Sequence, residues 1–168
     1  EGFKMYTQVN QQATFYSNGN GKISKGQPNV VFIHGAGMDH SVWVLPARYF
    51  ARHGYNVYAL DLPAHGRSKG EPLASIDAMA DWVCDALDSL DVDAAAIVGH
   101  SMGSLVALNF SARYASRTRV TVLLGTSTPM PVTDVLLDAA RANEHDAFDM
   151  ANTWMHSPFG QMGGNENP

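Results

Sequence analysis

The chain has 168 residues, 45% of them apolar and 16% charged, enough for one domain with a buried core. That balance excludes a disordered, collagen-like or membrane-embedded chain, and no apolar run approaches the roughly 18 residues of a membrane span. A net charge of −5 disfavours nucleic acid and anionic membrane as partners, since neither attracts an acidic surface.

Cys84 is the single cysteine, so neither a disulfide framework nor a cysteine metal cluster is expected, and a reducing, cytoplasmic setting follows. The amino end, EGFKMYTQVN, lacks a basic-then-apolar leader pattern, and its start at Glu1 points to processing or trimming. Residues 3–17 alternate loosely and predict two short antiparallel strands. The turn-rich stretch 17–28 follows, and VVFI at 30–33 then reads as a strand covered on both faces. Residues 41–53 are helical around Pro46, and NVYAL at 56–60 is a strand.

Within 75–90, Ile76, Met79, Ala80, Val83, Leu87 and Leu90 fall on one face of a helix that Ser75 caps. Cys84 lies beside that face as a small core filler. A strand at 94–98 (AAAIV), a helix at 102–114 and a strand at 119–124 (RVTVLL) complete the alternation. The fold class is therefore α/β, a mostly parallel doubly wound sheet with helices on both faces. After Pro129 and Pro131 the pattern over 132–155 is helical, and the tail SPFGQMGGNENP reads as turn and loop.

Three chemistry-bearing segments each follow a predicted strand: His34-Gly35-Ala36-Gly37, Asp61 to Ser68 (DLPAHGRS), and Gly99-His100-Ser101-Met102-Gly103. Ligands of open parallel sheets bind beyond the carboxyl ends of the strands, so these loops converge on one site. The third is a G-x-S-x-G with a strand before it and a helix after it, the context that a nucleophile at a sharp turn requires. Such a turn forces Ser101 into a strained, left-handed-like conformation, while Gly99 and Gly103 let strand and helix approach closely. Ser101 is the candidate nucleophile. The free N–H of Met102 at the helix start is one oxyanion donor, and Ala36 N–H is the second, with Gly37 as the alternative. Gly35, Gly37, His100 and Trp154 are candidate substrate-binding residues, although His100 also reads as packing beside Ser101.

HGAG, DLPAHGRS, GHSMGS and VLLGTSTPMPV, in that order, resemble the α/β-hydrolase superfamily, and specifically its capped bacterial members, over about residues 28–131. Relatives more often carry Gly where this chain has Ala64. The resemblance implies an α/β-hydrolase core at 1–131 holding the first six strands and lacking the last two, with a helical lid beginning at 132–168. Met150, Trp154, Met155 and Met162 of that lid would suit an apolar, ester-like small substrate, with no metal or other cofactor implied.

The family's order is Ser, then Asp or Glu, then His, and this chain offers no convincing triad acid or base. His145 and His156 read as lid-surface residues. His34 and His65 read as hydrogen-bonding their own loops, and Asp61 as bracing the HGRS loop. The position after the sixth strand is Gly125-Thr126-Ser127-Thr128, without a carboxylate, and Asp134 and Asp138 read as lid charges. A metal cluster of His34, His65, His100 and Asp61 lacks ligand spacing.

Two classes of function follow. One is a serine hydrolase working through an acyl-enzyme on Ser101, or a same-fold C–C hydrolase, lyase or perhydrolase. Epoxide hydrolases and dehalogenases, which carry Asp at that position, are disfavoured. The other is an incomplete chain serving as a binding or interaction module. Missing strands would leave an exposed apolar edge, so a homodimer or a second chain completing the sheet is expected.

Overall fold

A two-residue turn at Asn10 and Gln11, both at positive φ (50° and 64°), reverses the chain between β1 (Tyr6–Val9) and β2 (Gln12–Ser17). The computed structural model of the protein describes residues 5–155. The chain then alternates strand and helix: β3 (Asn29–Ile33), α1 (Val44–Arg52), β4 (Asn56–Leu60), α2 (Ile76–Ser89), β5 (Ala95–His100), α3 (Met102–Arg113) and β6 (Thr118–Leu124). A 3-10 turn at His40–Trp43 leads into α1. The sheet order is β1-β2-β4-β3-β5-β6. β3, β4, β5 and β6 pair in parallel, and the β1–β2 hairpin adds antiparallel to β4.

Period-two alternation sends successive side chains of the central strands to opposite faces, and each face has its own core. Val31, Ile33, Tyr58, Leu60 and Ile97 pack with Met79, Val83 and Leu87 of α2 and Val106 and Phe110 of α3. Val30, Phe32, Val57, Ala59 and Val98 pack with Trp43 and Ala47 at the start of α1. Ser75 caps α2, its hydroxyl accepting the Ala78 N–H at 3.1 Å. Cys84 packs half-buried against the first core, where burial raises its thiol pKa.

Contacts divide the chain at Ser127/Thr128 into two compact units. The second holds α4 (Asp134–Arg141), capped by the Thr133 hydroxyl, and α5 (Asp146–Met155). The periodicity over 132–155 thus belongs to two helices, broken where Asn143 turns left-handed at φ 56°. Among the described residues no helix is long and apolar enough to cross a membrane.

Candidate active site

Ser101 joins β5 to α3 with φ 54° and ψ −121°, backbone angles that a residue with a Cβ holds at a cost of about 1–3 kcal/mol. Close packing on both sides enforces them. A Cβ on Gly99 would lie 2.0 Å from the Gly103 carbonyl oxygen, and one on Gly103 only 2.3 Å from that of Ile33. Strand and helix therefore meet at van der Waals distance only because both positions are glycine. Ser101 N–H donates to the Leu124 carbonyl at 2.9 Å, which ties the turn to the end of β6. The Ser101 hydroxyl does not cap α3, and no described residue hydrogen-bonds it. Met102 opens the helix, so its N–H has no carbonyl one turn earlier to bond.

The loop after β3 lies against this turn. A Cβ on Gly35 would meet Ser101 Cβ at 3.2 Å and His100 Nδ1 at 3.4 Å. Met38 N–H donates to the Gly35 carbonyl at 3.3 Å, closing a turn in which Gly37 adopts φ 69° and Ala36 and Gly37 are exposed. Gly35, Ala36, Gly37, His100, Ser101 and Met102 are thereby brought together. The half-buried His100 ring lies near Gly35 and Gly125 and meets Trp43 edge-on, with centroids 6.4 Å apart. Trp154 falls in α5 of the other unit, with its side chain outside the described residues; Met155 shares that status, and His156 and Met162 lie wholly outside them.

The other described histidines have partners away from Ser101. His34 is fully buried; its Nδ1 donates to the Gly35 carbonyl at 2.8 Å and its Nε2 accepts the Leu62 N–H at 3.1 Å. Those two bonds require the neutral ring, and burial pushes its pKa below the ordinary 6.5. His65 Nδ1 bonds the Pro63 carbonyl at 2.9 Å and its ring meets that of His34 at a tilt of 48°, with centroids 4.9 Å apart. His145 is 83% exposed and faces Asp149 at 3.8 Å. Asp134 lies in the first turn of α4, and Asp138 pairs with Arg141 on its surface.

Asp61, which follows β4, is fully buried. Its Oδ2 accepts the Arg67 N–H at 2.9 Å, and its backbone carbonyl accepts the Ser68 hydroxyl at 2.7 Å. It also holds His40, a residue that the sequence pattern did not single out: Oδ1 accepts both the His40 ring Nδ1–H (2.8 Å) and backbone N–H (2.7 Å). No spacing rule links positions 21 residues apart, so only the fold brings them together. Asp39, His40 and Asp61 present ligand-type atoms within 4.8 Å of one another, the grouping that geometry offers a metal. Their polar atoms already serve protein donors and acceptors, with Asp39 Oδ1 accepting the Ser41 N–H at 2.7 Å. The donor set therefore fits a hydrogen-bonded brace better than an ion. A groove of about 1270 Å3 runs from the amino-terminal ends of the strands, beside Asn29, Asn56 and Ala94, along one sheet face, and Ser101 does not line it.

Residues 28–152 match the family described as alpha/beta hydrolase fold. The chain belongs to that family. This alpha/beta hydrolase is 34% identical over 103 residues to an (E)-2-((N-methylformamido)methylene)succinate hydrolase of Acinetobacter baylyi, covering 61% of this chain and 36% of that protein. It is 33% identical over 100 residues to a pimeloyl-[acyl-carrier protein] methyl ester esterase of Chromobacterium violaceum, covering 60% of this chain and 37% of that one. The chain thus spans little more than a third of the length of these relatives. The enol-lactonase structure from Burkholderia xenovorans superposes with a TM-score of 0.76 at 24% identity, over 89% of this chain and 58% of that one, a likeness of fold.

Proposed function

We propose that the whole protein is a serine hydrolase acting on a small, apolar ester or related acyl compound in the cytoplasm. Ser101 Oγ attacks the carbonyl carbon, the N–H groups of Met102 and Ala36 hold the oxygen that becomes negative, and the alcohol leaves an acyl-enzyme that water then cleaves. The observation that carries this reading is the strained Ser101 turn, its hydroxyl bonded by no described residue, with the Gly35–Met38 turn set against it. Strain held by two obligatory glycines has no packing benefit of its own and suits a displayed nucleophile. The relatives named as a hydrolase and a methyl ester esterase support acyl chemistry.

Serine is a weak nucleophile near pH 7 without a base. No imidazole hydrogen-bonds Ser101 among the described residues, so we assign the triad acid and histidine to the length by which the relatives exceed this chain. That observation also favours a second reading for residues 1–168 alone: a binding or interaction module without turnover.

The test is a fluorophosphonate probe and a p-nitrophenyl ester series on the whole protein, its Ser101→Ala variant and the 168-residue chain. Ser101→Ala lowers turnover by at least about 10³-fold and abolishes labelling. The short chain labels far more slowly than the whole protein. Wild-type turnover in Ser101→Ala overturns the nucleophile, and equal labelling of both chains overturns the missing base.

A further inference from the structure

The loop that carries Ala36 is pinned at both ends to two adjacent residues of another loop. At its start, His34 Nε2 accepts the Leu62 N–H at 3.1 Å. At its end, His40 gives both its ring Nδ1–H and its backbone N–H to Asp61 Oδ1. Asp61 is itself immobilised: Oδ2 accepts the Arg67 N–H, and a Cβ on Gly66 would lie 2.3 Å from Oδ2, so the carboxylate occupies space that only glycine leaves open. The Ser68 hydroxyl donates to the Asp61 carbonyl and accepts the Phe15 N–H at 2.9 Å, extending the anchorage to β2. The His40 ring rests on Phe15, with centroids 4.6 Å apart.

Between the two pins, Gly35 is buried against Ser101 and Met38 and Asp39 are half-buried, whereas Ala36 and Gly37 are exposed. The direction of the Ala36 amide therefore depends on where the two ends are held. An oxyanion donor works only within a few tenths of an ångström of its proper place. We propose that His40, clamped by Asp61, is a positioning residue that sets the reach of the Ala36 N–H toward the oxygen of the attacked carbonyl. This rests on the Ser101 and Ala36 roles proposed above. The ring touches Phe15 and Asp61 rather than Ser101, so its effect falls on the transition state and leaves substrate binding alone.

Two substitutions in the whole protein separate the clamp from simple filling of space. His40→Asn keeps an N–H where Nδ1–H stood but loses contact with Phe15; His40→Leu keeps that contact and loses the donor. His40→Leu should lower kcat about 10- to 100-fold with KM within about twofold, and His40→Asn should recover kcat to within about threefold of wild type. The reverse order, equal losses, no loss, or a loss confined to KM overturns the proposal. Amide hydrogen exchange at residues 35–38 is read on the same samples and needs no turnover. It should quicken in His40→Leu and not in His40→Asn; an unchanged rate in His40→Leu overturns the clamp. Should His40→Leu fail to fold, His40→Ala replaces it in both measurements. Ser101→Ala run alongside keeps the two ideas apart: retained turnover there removes the hydrolase reading, while the exchange result still decides the clamp.

Discussion

Single backbone angles carry much of what distinguishes this chain. Ala64 lies exposed in the DLPAHGRS loop at φ 61°, where its Cβ crowds the following carbonyl. Glycine at this position would relieve that strain at the expense of a more flexible unfolded chain. Ala64→Gly should therefore stabilise by a net ~0.5–1 kcal/mol, seen as a higher urea midpoint at constant slope. An unchanged or lower midpoint counts against strain at this residue. His34 is the other residue whose chemistry reaches the whole fold. Its folded-state pKa is depressed by burial below 6.5, so below that pH the unfolded chain binds a proton that the native ring refuses. Its contribution is complete above about pH 6.5 and is lost as pH falls, with a slope of at most ~1.4 kcal/mol per unit. Urea midpoints compared between about pH 5 and 8 should show this acid-side loss in wild type and a smaller one in His34→Gln; parallel curves would refute it.

At the scale of elements, the central alternation of strand and helix is legible because each signal is local. VVFI and the VYAL that follows Asn56 lack charged residues, and both runs are buried on both faces of the sheet. The 75–90 stripe and the Ser75 cap predict α2 from spacing alone, and the cap bond is present. The Ser101 turn is equally legible, since Gly99 and Gly103 report a backbone approach that no other residue tolerates. Legibility fails where distance in sequence is large. Asp61 reads as a brace for its own loop, and it is one, but its bond to His40 depends on the β3–β4 pairing that places the two loops side by side. It fails again over 132–155, where one helical period runs across two helices. Their break rests on Asn143 at positive φ, a conformation Asn adopts more readily than most residues but does not announce.

For the molecule as a whole, β6 is the exposed problem. It forms one edge of the sheet, and Val120, Val122 and Leu124 are 54%, 38% and 42% exposed. In the first unit α2 and α3 pack together on one face, while α1 alone packs on the other. The groove on that sparser face is lined by Val30, Phe50, Tyr55, Val98, Val120 and Val122. An apolar face beside an edge with unpaired N–H and C=O groups is a template for another chain. The chain's own charge of −5 is too small to keep copies apart at physiological salt, where the Debye length is about 8 Å. Residues 1–168 expressed alone should therefore associate with a second copy through β6. Light scattering after size exclusion should give at least a dimer mass at micromolar concentration. Val120→Lys with Val122→Lys places charge on both the face and the edge, which should shift the population to monomer while far-ultraviolet dichroism stays native. A monomeric wild type, or a double variant that associates as strongly as wild type, would show that β6 is not the contact.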